Sequence, residues 1–340
     1  MHPKRPAAAV GLALCAIAGL AACGATHKAP TPPPPEHTAI VYEIRGSFPD
    51  DGWVWRADPT GAHPTRLTRG QTPAISPDGE AIAFIRYQPK PAAWSVWTTD
   101  LNGAGARQIY TYRNVQDAIL SVVWSPDSQR LAVVDQHGIL TVSRDGTRTT
   151  KTTDAVIASE QVSFSPDSTH FAYADATSGR IVIVPIEGGS ATPVTDGPSD
   201  LAPTWGSSGI AFAHWPGPGH LGDIWIVQPD GTDAHQLTHT NAGIQPVAFS
   251  ADGKRLIAQN PATHNGRIWT IDTQTGTARD LTGWVGDLFP AGVSQDGTAV
   301  LASIGCGGTA TNRGIVELIA TTSGRARTII RGPCRANWNA

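Results

Sequence analysis

A chain of 340 residues can bury a large core, and the scarcity of long polar runs after the first forty residues argues against general disorder. Charged residues make up 16% of it while glycine and proline number 36 and 27, a balance that suits many short strands joined by turns and not a helical bundle. The formal charge is −3 and no basic cluster follows the N-terminal segment, so the electrostatic footprint of a nucleic-acid binder is missing.

Residues 1–22 open with Lys4 and Arg5, continue through an apolar run of about 16 residues and end in small residues. This is the layout of a secretory signal peptide, too short and wrongly flanked for a membrane span. The tetrapeptide Leu20-Ala21-Ala22-Cys23 resembles the lipobox of bacterial lipoproteins, which implies cleavage before Cys23 and diacylation of its thioether. The alternative is an ordinary signal peptide in which a cysteine falls there by chance. Cleavage removes two basic residues and no acid, so the mature charge becomes −5. Two acyl chains give the two-signal anchoring that one does not, each buried CH₂ contributing ~0.8 kcal/mol. The expected partner is therefore a lipid bilayer, held through acylated Cys23, and the expected location is extracytoplasmic, on a bacterial cell membrane. Residues 23–38, with Pro32-Pro33-Pro34-Pro35, read as a stalk. Extended polyproline geometry at ~3.1 Å per residue holds the next domain up to ~45 Å from the lipid.

From residue 39 to 340 one module recurs. The first unit supplies strands b (39–44), c (52–58) and d (65–68), with no strand a ahead of them. The second is intact: a strand a ending at Ile75, the turn Ser76-Pro77-Asp78-Gly79, strand b at 81–86, strand c at 94–100, a turn at Leu101-Asn102-Gly103, and strand d at 107–110. Later units keep this order, with Trp124, Phe164, Trp205, Phe249 and Val293 standing before the turn. A period near 44 residues marks a repeat architecture, and alternation with β-branched residues marks the repeats as strands. The chain finishes on an unattached strand, 335–339, which supplies the strand a that the first unit lacks. Sheets of this kind bury both faces by packing radially, so the expected fold is all-β: a seven-bladed β-propeller of four-stranded antiparallel blades, the first closed by the C-terminal strand.

The turn itself recurs as SPDG, SPDS, SPDS, SADG and SQDG, beginning at Ser76, Ser125, Ser165, Ser250 and Ser294. Proline fixes φ, aspartate accepts a backbone hydrogen bond from beyond the turn, and glycine takes the position with φ > 0. The repeated aspartates are thus turn formers, each in a separate blade, and not metal ligands. The fifth unit writes Trp205-Gly206-Ser207-Ser208-Gly209, which keeps small turn residues but loses the aspartate, as a decayed copy would. Trp55, Trp97, Trp225 and Trp269 hold equivalent positions in strand c, where blade-to-blade packing is expected in preference to an aromatic ligand cage.

With its xxxWSPDGxxIAF and IWxxDxxGxxxxxLT segments, the stretch 39–339 resembles the TolB-like, or PD40, propeller repeat. The resemblance implies the fold, and from TolB itself a periplasmic propeller that docks a lipoprotein partner. The chain departs from TolB in lacking an N-terminal α/β domain, in counting seven units where TolB has six, and in carrying a lipidation signal of its own. Similar repeats precede the hydrolase domain of prolyl-oligopeptidase-like enzymes, but no G-x-S-x-G elbow occurs here.

Antiparallel strands put the d–a and b–c connections on one face of such a ring and the a–b and c–d turns on the other. Cys306, in the last b–c loop, and Cys334, in the last d–a connection, share a face. A disulfide between them is expected to close about 29 residues and contribute ~3–4 kcal/mol in the chain-entropy model; two free thiols are the alternative. His235 and His239, placed four apart on one strand d, lie ~13 Å from each other and cannot share an ion. The loop from His214 to His220, with Asp223 beyond, can gather two histidines and a carboxylate on the d–a/b–c face, where His137, His239 and His264 also map. The competing account is ordinary surface histidines. Gln71, Glu160, Asp200, Gln245, Asp287 and Arg335 precede or begin strand a and are expected to form a polar, partner-binding mouth to the central channel.

The expected function is that of a membrane-anchored extracytoplasmic lipoprotein whose propeller is a scaffold for a protein, peptide or envelope polymer, with no cofactor and no resident metal. The alternative is a metal-assisted propeller enzyme, lyase or lactonase-like, with its site at the channel mouth.

Overall fold

In the computed structural model the described residues are 39–44, 52–89, 92–112, 119–135, 137–260, 266–283, 288–294, 297–304, 314–331 and 334–338. Every regular element among them is a strand, and the strands form seven four-stranded antiparallel sheets. No helix of the described residues is long and apolar enough to cross a membrane. In the second blade strands a to d are Gln71–Ile75, Ala81–Pro89, Ala92–Asp100 and Arg107–Tyr112. Its b–c hairpin outruns the sequence expectation, pairing on to Pro89 opposite Ala92, with Tyr87 packed on Trp94 at 4.9 Å between ring centroids.

The first blade joins the two ends of the propeller. Ile40–Ile44 pairs with Trp53–Ala57 on one side and with Cys334–Trp338 on the other, Ile40 lying opposite both Ala57 and Trp338. The expected closure by the C-terminal strand is what the fold has.

Strand b of each blade is a nearly continuous apolar run because both of its faces are covered. Along Arg130–Asp135, Leu131 and Val133 enter the cluster shared with the second blade, while Ala132 and Val134 enter the cluster shared with the fourth. The period-2 alternation of a strand thus divides one side-chain row between two interfaces. Each pair of neighbouring blades has its own cluster, including the pair formed by the last blade and the first, where Leu301 and Val316 meet Ile40 and Tyr42. Each fully buried aliphatic or aromatic side chain contributes about 1.5–3 kcal/mol relative to exposure. The strand-c tryptophans pack on these clusters as expected: Trp55, Trp97, Trp225 and Trp269 each lie against a different one.

The recurring turn is held by its own side chains. Ser76 Oγ lies 2.5 Å from Asp78 Oδ1 and accepts the Ala81 N–H at 3.0 Å, while Asp78 Oδ1 accepts the Glu80 N–H at 3.0 Å. Gly79 takes φ 72°, and where the sequence has serine instead, Ser128 and Ser168 take φ 59° and 61°. Those serines are more than tolerated. Ser128 Oγ accepts the N–H of Asp78 at 2.9 Å and Ser168 Oγ accepts that of Asp127 at 3.1 Å, tying each turn to its neighbour in the preceding blade.

Candidate functional site

Strand a is the innermost of each blade, and it starts on the d–a/b–c face. Three of the expected mouth residues begin such strands: Gln71 in Gln71–Ile75, Asp200 in Asp200–Gly206 and Gln245 in Gln245–Phe249. Glu160 is instead the fourth residue of Ile157–Phe164, a strand that starts earlier than its counterparts, and Arg335 is the second residue of Cys334–Trp338. For Glu160, Cys334 and Arg335 the backbone alone is described, and Cys23, His264, Asp287 and Cys306 lie outside the described residues.

Register brings Asp200 opposite His214, the last residue of strand b, Gly209–His214. Their side chains meet, Asp200 Oδ1 lying 2.7 Å from His214 Nδ1. Asp200 is 1% exposed, so its carboxylate touches a partner only through the histidine. Its Oδ2 has no hydrogen-bond partner among the described residues. The carboxylate rests on Gly197, where a Cβ would fall 2.7 Å from Oδ1. A carboxylate acceptor at Nδ1 places a proton there, so that in the neutral ring Nε2 carries the lone pair. The imidazole, one quarter exposed, packs edge-on against Trp225 at 5.3 Å.

Strand a is irregular at this level, with register shifts between Gln71 and Ala74, Leu201 and Thr204, and Pro246 and Ala248. Buried Glu43, from the first blade, accepts the N–H of Thr72 at 2.6 Å, with Thr72 at φ 48°. Gln161 was not anticipated. Its Nε2 donates to Thr204 Oγ1 at 2.8 Å and to Pro246 O at 3.0 Å, tying the innermost strands of three successive blades. In the strand Ile157–Phe164 nothing in the sequence sets Gln161 apart from Ser159, Glu160 and Ser163 around it.

Of the two accounts of the His214–His220 loop, ordinary surface histidines fit better than a shared cluster: His214 and Asp223 are cross-strand partners, but their side chains bond elsewhere. Asp223 is taken up in holding the next connection, accepting from Thr238 Oγ1 and the Thr240 N–H, both at 2.8 Å, and from the Asn241 N–H at 3.1 Å. His220 is exposed. Strand d here is only His235–Gln236, so His239 lies beyond it, exposed in the loop, and does not share a strand face with His235. Among the described residues no three of His, Cys, Asp and Glu assemble a metal site.

A ring of seven four-stranded blades, five of them carrying a Ser-x-Asp turn and the first closed by the C-terminal strand, defines a repeat β-propeller. Residues 53–291 match the TolB beta propeller domain, PD40, and the chain belongs to that family. It is 29% identical over 117 residues to a protein TolB homolog of Chlorobium luteolum, a match covering 34% of this chain and 27% of that protein. Among solved structures it resembles TolB from Acinetobacter baumannii, with a TM-score of 0.57 and 18% identity over 88% of this chain and 82% of that one. An oligogalacturonate lyase in complex with manganese superposes with a TM-score of 0.59 at 17% identity, covering 88% and 86% of the two chains. The β-propeller domain of the Trilobed protease from Pyrococcus furiosus gives 0.63 at 14%, covering 88% and 96%. At these identities the structural likenesses concern the fold.

Proposed function

We propose that the protein is a lipid-anchored, extracytoplasmic binding scaffold that engages an envelope protein or polymer through its d–a/b–c face. The observation that carries this reading is the arrangement of Gln71, Gln245 and the partly exposed His214, backed by buried Asp200, about the starts of innermost strands, which collects polar groups at one end of the ring. Membership of the TolB propeller family supports a binding role, and the Leu20-Ala21-Ala22-Cys23 motif ahead of a proline-rich stretch supports the anchor. Two measurements test it. Cys23→Ser is expected to move the protein from the membrane to the soluble fraction, and unchanged membrane retention would refute the anchor. Gln71→Ala, His214→Ala and Gln245→Ala combined are expected to release the partners that the wild type retains in pull-downs from solubilised envelopes; full retention would refute the face.

The Asp200–His214 pair favours a second reading, in which His214 Nε2 accepts a proton from a bound substrate while Asp200 holds the ring and stabilises the imidazolium. A turnover abolished by His214→Ala and sharply reduced by Asp200→Asn would establish it.

A further inference from the structure

The fifth a–b turn is a built feature and not a worn repeat. In the other complete turns the last residue of strand a pairs with a residue seven further on, as Phe164 does with Phe171 and Phe249 with Leu256, but Trp205 pairs with Ile210, only five further on. Both glycines framing the short hairpin are required. A Cβ on Gly206 would fall 2.4 Å from the Phe249 ring, and Gly209 sits at φ +122°.

The shortening leaves a gap against the fourth blade. Asp78 and Asp127 give their N–H to a serine of the following turn, but the turn opposite Asp167 ends before it can offer one. What opens there is a cleft of about 440 Å³ on the a–b/c–d face, lined among others by Pro166, Asp167, His170, Trp205, Gln228 and Pro229. Trp205 is partly exposed, with the His170 ring 6.5 Å away and tilted 43° to it. The volume and the apolar wall carrying a few polar groups are those of a small-ligand site. The polar groups offer acceptors: Asp167 Oδ1 is taken up by Ser165 and Thr169 of its own turn, which leaves Oδ2, and the Gln228 amide and Ser207 hydroxyl both accept as well as donate. A proline-rich peptide brings no N–H at its prolines and so offers such acceptors fewer donors. A sugar ring suits them, because it has an apolar face for the indole and hydroxyl donors around its edge. The carboxylate opposes a uronate.

We propose that this cleft binds an uncharged saccharide ring, stacked on Trp205 and held at its edge by Asp167, His170 and Gln228. The site lies on the face opposite the proposed docking surface and does not rest on that reading.

The test titrates the full chain in detergent with chitotriose, cellotriose, trigalacturonate and a proline-rich decapeptide, following tryptophan fluorescence and heat. A neutral trisaccharide is expected to saturate the signal and trigalacturonate to bind at least about tenfold more weakly, the equivalent of 1.4 kcal/mol. Trp205→Leu and Gln228→Ala are each expected to weaken binding about tenfold. Replacing 206–208 by a five-residue Ser-Pro-Asp-Gly-Ser turn is expected to close the cleft and abolish binding, with thermal unfolding confirming that each variant folds. Should Trp205→Leu not fold, Gln228→Ala decides. Absence of saturation by either neutral sugar, saturation indifferent to Gln228→Ala and the long turn, or preferential binding of the decapeptide would each overturn the proposal.

Discussion

Asp200 Oδ1 lies 2.7 Å from His214 Nδ1, joining the first residue of an innermost strand to the last residue of the strand beside it. The contact is short because the two residues are cross-strand partners and because Gly197 leaves room for the carboxylate. Asp200→Ala removes the acceptor of a partly buried imidazole and is expected to cost about 1–3 kcal/mol. Urea unfolding measures this, and an unchanged midpoint would mean that the pair carries no structural weight.

Ser128 combines an unfavourable backbone with a useful hydroxyl, and the two are separable. At φ 59° a non-glycine residue is strained, by roughly 1–2 kcal/mol, while its Oγ accepts the Asp78 N–H at 2.9 Å, a bond contributing about 1 kcal/mol. Ser128→Ala loses the bond and keeps the strain; Ser128→Gly loses both. The alanine variant is therefore expected to unfold at a lower temperature than wild type, with the glycine variant close to wild type. An alanine variant as stable as wild type would show that the hydroxyl is not a clamp between blades, and a glycine variant less stable than the alanine one would show that the backbone there is not strained.

The turn aspartates predict the acid limb of stability. The Ser143 hydroxyl, with the Thr147 N–H and hydroxyl, holds Asp145 at about 2, against an ordinary 3.8. Asp167 and Asp252 are lowered in the same way, foremost by Ser165 and Ser250. At Asp78 burial pushes upward, but the Ser76 hydroxyl, the Glu80 N–H and Arg144 outweigh it. A carboxyl whose folded pKa is depressed contributes stability that is present above its unfolded pKa and disappears as pH falls through the folded one. These groups therefore add nothing to the pH dependence above about pH 5 and erode stability from about pH 4 toward pH 2. Thermal unfolding across that range checks it, and Asp145→Asn should flatten the slope slightly, since an exposed group is screened by solvent.

Closure by Cys334–Trp338 makes the C-terminus a structural part of the first blade. Removing residues 332–340 uncovers the edge of Ile40–Ile44, whose backbone groups would lose their ladder. The truncated protein is expected to lose cooperative unfolding and to aggregate; a midpoint equal to that of the full chain would contradict the closure.

The repeat made the fold legible. Strands and turns follow from local chemistry: the Ser76, Pro77, Asp78 and Gly79 pattern forces a hairpin wherever it occurs, and the rows beside it must alternate between two interfaces. Side-chain pairing across strands was not legible to the same degree. Asp200 and His214 map to one face from topology, yet their contact depends on a register that slips between Leu201 and Thr204. Asp223, which the sequence allows beside His220, is instead held by Thr238, Thr240 and Asn241, partners that come from a different connection. The bonds made by the hydroxyls of Ser128 and Ser168 appear only once the neighbouring turn is in place, and the short turn at 206–209 reads as decay until Phe249 is seen to fill the space of a Gly206 side chain.

The most direct test of the binding face is site-specific photocrosslinking in the native envelope, with the photoreactive residue at Thr177 or His239 on the d–a/b–c face, or at Asp230 or Gln274 on the opposite one. All four positions are exposed. Discrete protein or polymer adducts are expected from Thr177 and His239 and not from Asp230 and Gln274; adducts confined to Asp230 and Gln274 would contradict the account.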